Sequence, residues 1–138
     1  MIVDEMAKAH RTILVQAYTF TSAPIAQALV DAHKRGVDVE VILDKSNRTE
    51  RQSEAHFISH AGIPTLVDSV PGIAHNKVMV IDGETVITGS FNFTKAAEER
   101  NAENLLVIRD KDLAARYVKN WKTHAAHSEK QAQKITPF

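Results

Sequence analysis

An imidazole, an ammonium, a hydroxyl and a carboxamide recur at close spacing in His75, Lys77, Ser90 and Asn92. Two such sets facing one phosphate would hold what cleavage of a phosphodiester requires: a nucleophile in line with the leaving oxygen, a proton for that oxygen, and cationic or hydrogen-bonding groups around the non-bridging oxygens. Imidazole titrates near neutrality, so His75 can act as a nucleophile when neutral and as a proton donor when charged. The Lys77 ammonium would face the phosphate oxygens. The Asn92 amide would donate to them without adding charge, and the Ser90 hydroxyl is suited to hydrogen-bonding support. Each side chain is ordinary alone, since a strand-end histidine or a surface lysine needs no ligand. Their convergence makes the site candidate.

The elements that must position them follow from pattern. The apolar run Val78 to Ile81 predicts a buried strand, Asp82-Gly83 a two-residue hairpin turn, and Thr85 to Thr88 the returning strand. Side chains alternate faces along a strand, so His75 and Lys77 point the same way, as do Ser90 and Asn92. The hairpin therefore carries four polar groups to one end of a sheet. Asp82 lies roughly 15 Å from Lys77 at strand rise, too far to share a phosphate, and is expected to serve the turn. Phe91 and Phe93 alternate with the polar pair and are expected to face the core, the alternative being that either lines a base or lipid pocket.

Outside the hairpin, residues 2–10 predict a helix and Thr12 to Tyr18 a strand. Ser22 caps a helix whose apolar positions Ile25, Ala28, Leu29 and Ala32 fall at helical spacing and which ends at Gly36. Val37 to Leu43 follows as a strand, giving a right-handed strand-helix-strand crossover and a parallel pair. A helix over 49–61, stopped by Gly62, precedes a short strand at Pro64 to Val67. After the hairpin come a strand from Glu103 to Ile108 and a final amphipathic helix, capped by Asp110, that carries Leu113, Tyr117, Val118 and Trp121. The fold class is α/β, a mixed, mostly parallel sheet flanked by helices.

With 138 residues, 43% hydrophobic and 25% charged, the chain fits one globular domain over 1–138 with its own core. It has no apolar run long enough to span a bilayer and no signal-peptide pattern at its start, so a soluble protein without membrane insertion is expected, its compartment unmarked. The absence of cysteine excludes disulfides and thiolate metal sites. Seventeen basic and 17 acidic residues cancel, so any affinity for nucleic acid must be local. The candidate cations are Arg48 and Arg51 after the strand ending near Asp44, with Lys95 beside the motif; the competing reading is a solvated loop and helix start. His56 and His60 have the i, i+4 spacing of a helical zinc site, yet Phe57 stands where a metalloprotease motif has its glutamate. His124 and His127 are spaced i, i+3. Both pairs are expected to be solvated helix histidines, and no metal or cofactor is expected.

His75-x-Lys77 with Asp82 and Gly89-Ser-x-Asn92, together with Ala17-Tyr-Thr-Phe-Thr21, Lys34-Arg-Gly-Val-Asp-Val-Glu-Val-Ile-Leu-Asp44, Ser90-Phe-Asn-Phe-Thr-Lys-Ala-Ala97 and Asn101-Ala-Glu-Asn-Leu-Leu-Val107, resembles the phospholipase D superfamily, and in particular its small Nuc-like bacterial endonuclease branch. The resemblance covers nearly the whole chain. It implies the phospholipase D/nuclease fold, and because that branch opens with a strand before its first helix, where this chain begins, it leaves room for a missing first strand. It also implies that Glu103 accepts the second N–H of the catalytic histidine. Superfamily chemistry uses two motifs facing each other; this chain has one copy, which implies a homodimer with a composite site on its twofold axis. The implied activity is metal-independent phosphodiester cleavage through a covalent phosphohistidine, most simply by a nonspecific endonuclease acting on DNA, with RNA a further candidate substrate. The rivals are a lipid phosphodiesterase, a module that clamps phosphate backbones without cleaving them, and a subunit that supplies half a site to another protein.

Overall fold

The structure is a computed structural model and describes residues 2–17, 22–44, 55–68, 78–89, 105–126 and 129–130. In chain order the elements are α1 (Ile2–Ala7), β1 (Thr12–Ala17), α2 (Ala23–Lys34), β2 (Asp38–Asp44), α3 (Ala55–His60), β3 (Thr65–Asp68), β4 (Val78–Ile81), β5 (Thr85–Gly89), β6 (Leu105–Arg109), α4 (Lys111–Ala125) and β7 (Glu129–Lys130). The seven strands form one sheet in the order β6-β5-β4-β1-β2-β3-β7. β1 pairs parallel with β2, and β2 with β3, through the two helical crossovers. The remaining four pairings, β1 with β4, β4 with β5, β5 with β6 and β3 with β7, are antiparallel. The expected mixed α/β sheet is present, but "mostly parallel" describes strand directions only. β1, β2, β3 and β5 run the same way, while antiparallel contacts outnumber parallel ones, because the hairpin inserts β4 between β1 and β5.

Residue alternation along β1 builds two cores at once. Ile13, Val15 and Ala17 join Val39, Val41, Leu43, Met79, Ile81 and Ile87 under α1, α2 and α3. Leu14 faces the other way and packs with Ile42 and Trp121 of α4, while Val78, Val80 and Val86 meet Ala114 farther along the same helix. A strand buried on both faces needs apolar residues at nearly every position, which is why Ile-Leu-Val in β1 shows no polar alternation. Trp121 adds a directional tie: its indole Nε1 donates to the Val15 carbonyl at 2.8 Å.

The predicted caps act as expected. The Ser22 hydroxyl accepts the Ile25 N–H at 3.3 Å, and Asp110 Oδ1 accepts from the N–H groups of Asp112 and Leu113 at 2.9 and 3.1 Å. After α2 the chain turns at Gly36, whose φ of +95° is open to glycine without strain. The first helix is shorter than residues 2–10. Lys8 and Ala9 donate to Glu5 and Met6 in three-residue turns, and the next N–H groups are captured by a carboxylate described below. The Arg35 guanidinium reaches across to accepting carbonyls at the end of α1, Met6 at 3.3 Å and Ala9 at 3.0 Å. β6 runs to Arg109, one residue past the expected end. The predicted helix over 49–61 is described only from Ala55. β7 has no counterpart in the sequence reading, since two polar residues carry no periodicity. Among the described residues no helix is long and apolar enough to cross a membrane.

Candidate active site

The register fixes which strand ends share a side. Gln16 of β1 lies opposite Val78 at the start of β4, Val78 opposite Thr88 near the end of β5, and Gly89 opposite Leu105 at the start of β6. Ala17 lies beside Leu43, and Asp44 beside Asp68, at the same end of the parallel strands. In sequence, Lys77 immediately precedes Val78, Ser90 immediately follows Gly89, and Glu103 stands two residues before Leu105. The segments carrying the motif thus all depart from one end of the sheet, at its antiparallel half. His75, Lys77, Ser90, Asn92, Glu103, Arg48, Arg51, Lys95, Phe91 and Phe93 themselves lie outside the described residues.

One motif residue is described, at the opposite end. Asp82 has φ +56°, beside Gly83 at +66°, and the Glu84 N–H donates to the Ile81 carbonyl at 3.1 Å. Ile81 pairs with Thr85, so the loop comprises Asp82, Gly83 and Glu84, three residues rather than the expected two. Asp82 does serve the turn, but its carboxylate does more. Its Oδ1 accepts the N–H of Arg11 at 2.7 Å and of Thr12 at 3.0 Å, and both oxygens lie 3.2 Å from the His10 N–H. His10 Nδ1 approaches Oδ2 at 3.0 Å. The Arg11 guanidinium donates to the Asp82 carbonyl, and the Asp82 N–H donates to the Thr12 carbonyl at 2.8 Å. Burial alone would push this carboxyl's pKa up. The backbone N–H groups of Arg11, Thr12 and His10, aided by the His10 charge, outweigh burial and hold it below the usual carboxylate range. Asp82 therefore bolts the β4–β5 hairpin to the α1–β1 connection, and no local pattern announces a bond between residues about seventy apart.

At the motif end the interior holds a polar residue that the sequence reading passed over. Gln16 is buried on the α4 side of β1, and its Oε1 has no hydrogen-bond partner among the described residues. A glutamine inside Ile-Leu-Val-Gln-Ala was the available signal. On β2, burial raises the pKa of Glu40, helped by repulsion from Asp38 and opposed by Lys122 of α4. Of the histidines weighed as metal ligands, His56 and His60 are exposed on α3. His124 is buried rather than solvated, because it falls on the sheet-facing side of α4 three residues past Trp121. His127 lies outside the described residues. Among the described residues no group of three or more potential ligands could hold a metal ion.

Residues 2–125 match the family described as cardiolipin synthase, PLD-like domain. The chain belongs to the phospholipase D superfamily. Among solved structures it is similar to Nuc from Salmonella typhimurium, a phospholipase D family member, with a TM-score of 0.87 and 41% identity over 94% of this chain and 87% of that one. It is also similar to a phospholipase D of Rickettsia conorii, 49% identical over 87% of this chain and 60% of the relative. A mitochondrial cardiolipin hydrolase of Xenopus laevis is 33% identical over 87% of this chain and 57% of the relative. The chain thus spans about six-tenths of the length of the curated relatives it matches.

Proposed function

We propose that this domain is a metal-independent phosphodiesterase that cleaves nucleic acid, DNA foremost, as a homodimer. The observation that carries the reading is the register of the β4–β5–β6 sheet, whose motif-bearing segments leave from one end. In the reaction, a neutral ring nitrogen of His75 attacks phosphorus and the bond to the leaving oxygen breaks, giving a phosphohistidine. His75 of the partner subunit, protonated, gives its proton to the leaving oxygen. That imidazole, now neutral, takes a proton from water, whose oxygen attacks phosphorus and releases the first histidine. Lys77 and Asn92 hold the non-bridging oxygens, Ser90 supports them, and Glu103 orients the imidazole. Arg48, Arg51 and Lys95 extend the contact along the phosphate backbone.

A second reading, cleavage of a lipid phosphodiester, is favoured by the 33% identity to a cardiolipin hydrolase. The nuclease reading has the support of the Nuc match, which covers most of both chains. Cleavage of supercoiled plasmid and of bis(p-nitrophenyl) phosphate in EDTA, comparing the wild type with His75→Ala, tests the proposal. Activity in EDTA that the variant lacks is expected; a strict need for a divalent metal would refute the mechanism. Cardiolipin turnover without plasmid cleavage would establish the second reading.

A further inference from the structure

Many of the described cations are occupied with architecture. Lys8 and Arg109 pair with Glu5, Arg11 bonds the Asp82 carbonyl, and Arg35 holds the end of α1. On α4 the situation differs. Lys111, Arg116, Lys119 and Lys122 are exposed, and none forms an ion pair with a carboxylate among the described residues. Lys122 lowers the pKa of Glu40, against the larger effect of burial. Asp112 is the single acidic residue of the helix. In a chain whose formal charges cancel, this is a local concentration of one sign.

The spacing organises it. Lys111, Ala115, Lys119 and Lys122 fall at i, i+4, i+8 and i+11, along one stripe of the helix, with Arg116 one step around. Lys119, Lys122 and Thr123, with Ala115, Val118 and Ala126, line an open groove of about 640 Å³. From Lys111 to Lys122 the stripe is roughly 17 Å long at helical rise, or about five phosphate steps of one nucleic-acid strand. The large apolar residues of α4 are committed to the sheet, with Trp121 buried and Tyr117 and Val118 packed against its core. A helix that settles into a bilayer surface must present such residues outward. Apart from the part-buried Val118 at the floor of the groove, this outer face offers cations and small side chains, which suit a phosphate backbone.

We propose that the exposed face of α4 is an additional docking surface for the phosphate backbone of a nucleic acid, a proposal that rests on the nuclease reading above. Lys119 and Lys122 release counterions when they meet phosphates, so each contributes to the salt dependence of binding. The experiment measures the affinity of the full-length His75→Ala protein for fluorescein-labelled DNA over a potassium chloride series, alone and with Lys119→Gln/Lys122→Gln added. The double substitution is expected to flatten the slope of log affinity against log salt by about 1.4 to 1.8, and Arg116→Gln by about half as much. Lys34→Gln, an exposed lysine at the end of α2, is expected to leave the slope unchanged. An unchanged slope in the double variant, or equal flattening by Lys34→Gln, would overturn the assignment of α4 while leaving the nuclease reading in place. Failure of the parent to bind DNA, with salt-sensitive sedimentation on phosphatidylglycerol vesicles that the double variant loses, would overturn both and transfer the face to an anionic lipid surface.

Discussion

The two ends of the sheet solve opposite problems. At the turn end, a single carboxylate satisfies three consecutive backbone N–H groups and holds hairpin, helix and central strand together. At the motif end, a buried carboxamide oxygen on the same central strand has no partner among the described residues. The superfamily pattern His-x-Lys-x-x-x-x-Asp therefore spans both regimes: its first members flank the start of β4, and its last is part of the scaffold. Residues grouped by one motif need not share one task, and strand length is enough to separate them.

The division can be broken experimentally, and the largest effect belongs to the chemistry. His75→Ala is expected to lower phosphodiesterase turnover by on the order of a thousandfold or more, with an unchanged melting temperature. Loss of fold instead of turnover would place His75 in the scaffold. The converse variant, Asp82→Ala, leaves the N–H groups of His10, Arg11 and Thr12 without their acceptor and is expected to cost about 2–4 kcal/mol in urea unfolding. A cost below about 1 kcal/mol would mean that the clamp is replaceable by water.

Acid should act on the same residue. The Asp82 carboxyl titrates lower in the folded chain than in the unfolded one, so it stabilises fully above the unfolded value near 3.9 and loses that contribution as pH falls through the folded one. Asp82→Asn should therefore flatten the acid limb of stability below about pH 4 and leave its shape above pH 5 unchanged. At the other end, Gln16→Met removes a buried carbonyl that has no partner among the described residues, at nearly constant volume, and is expected to be neutral or stabilising by about 1 kcal/mol. Destabilisation beyond that would show that the motif segments engage this amide. The smallest effect is expected at Glu5, whose pair with Arg109, 2.8 Å apart, involves an arginine that is 58% exposed. Glu5→Gln should change stability by less than about 1 kcal/mol, and less again in high salt.

Much of the scaffold was legible because it rests on short-range signals. Ser22 and Gly36 bracket α2, Asp110 opens α4, and Val78 to Ile81 reads as a buried strand from composition alone. The misreadings share a cause in long-range contact. α1 stops early because Asp82, far along the chain, takes the N–H groups that would have continued a turn. His124 looks like a surface residue by type, yet its place three residues past Trp121 puts it on the sheet-facing side of α4. The balance of parallel and antiparallel pairs depends on where the hairpin inserts, which no strand states for itself. For the candidate site, sequence supplies the proposed roles of His75, Lys77, Ser90, Asn92 and Glu103, and the register identifies the sheet end at which the described strands beside them begin or stop.

The bond from Trp121 Nε1 to the Val15 carbonyl has a mechanical consequence. A polymer gripped on the outer face of α4, as proposed above, would exert tension on that helix, and the indole would pass the load to β1, which has neighbours on both sides. Displacing β1 breaks its pairings with both β2 and β4, whereas an edge strand is held on one side alone. A load on α4 would therefore be shared across the middle of the sheet rather than borne at its rim.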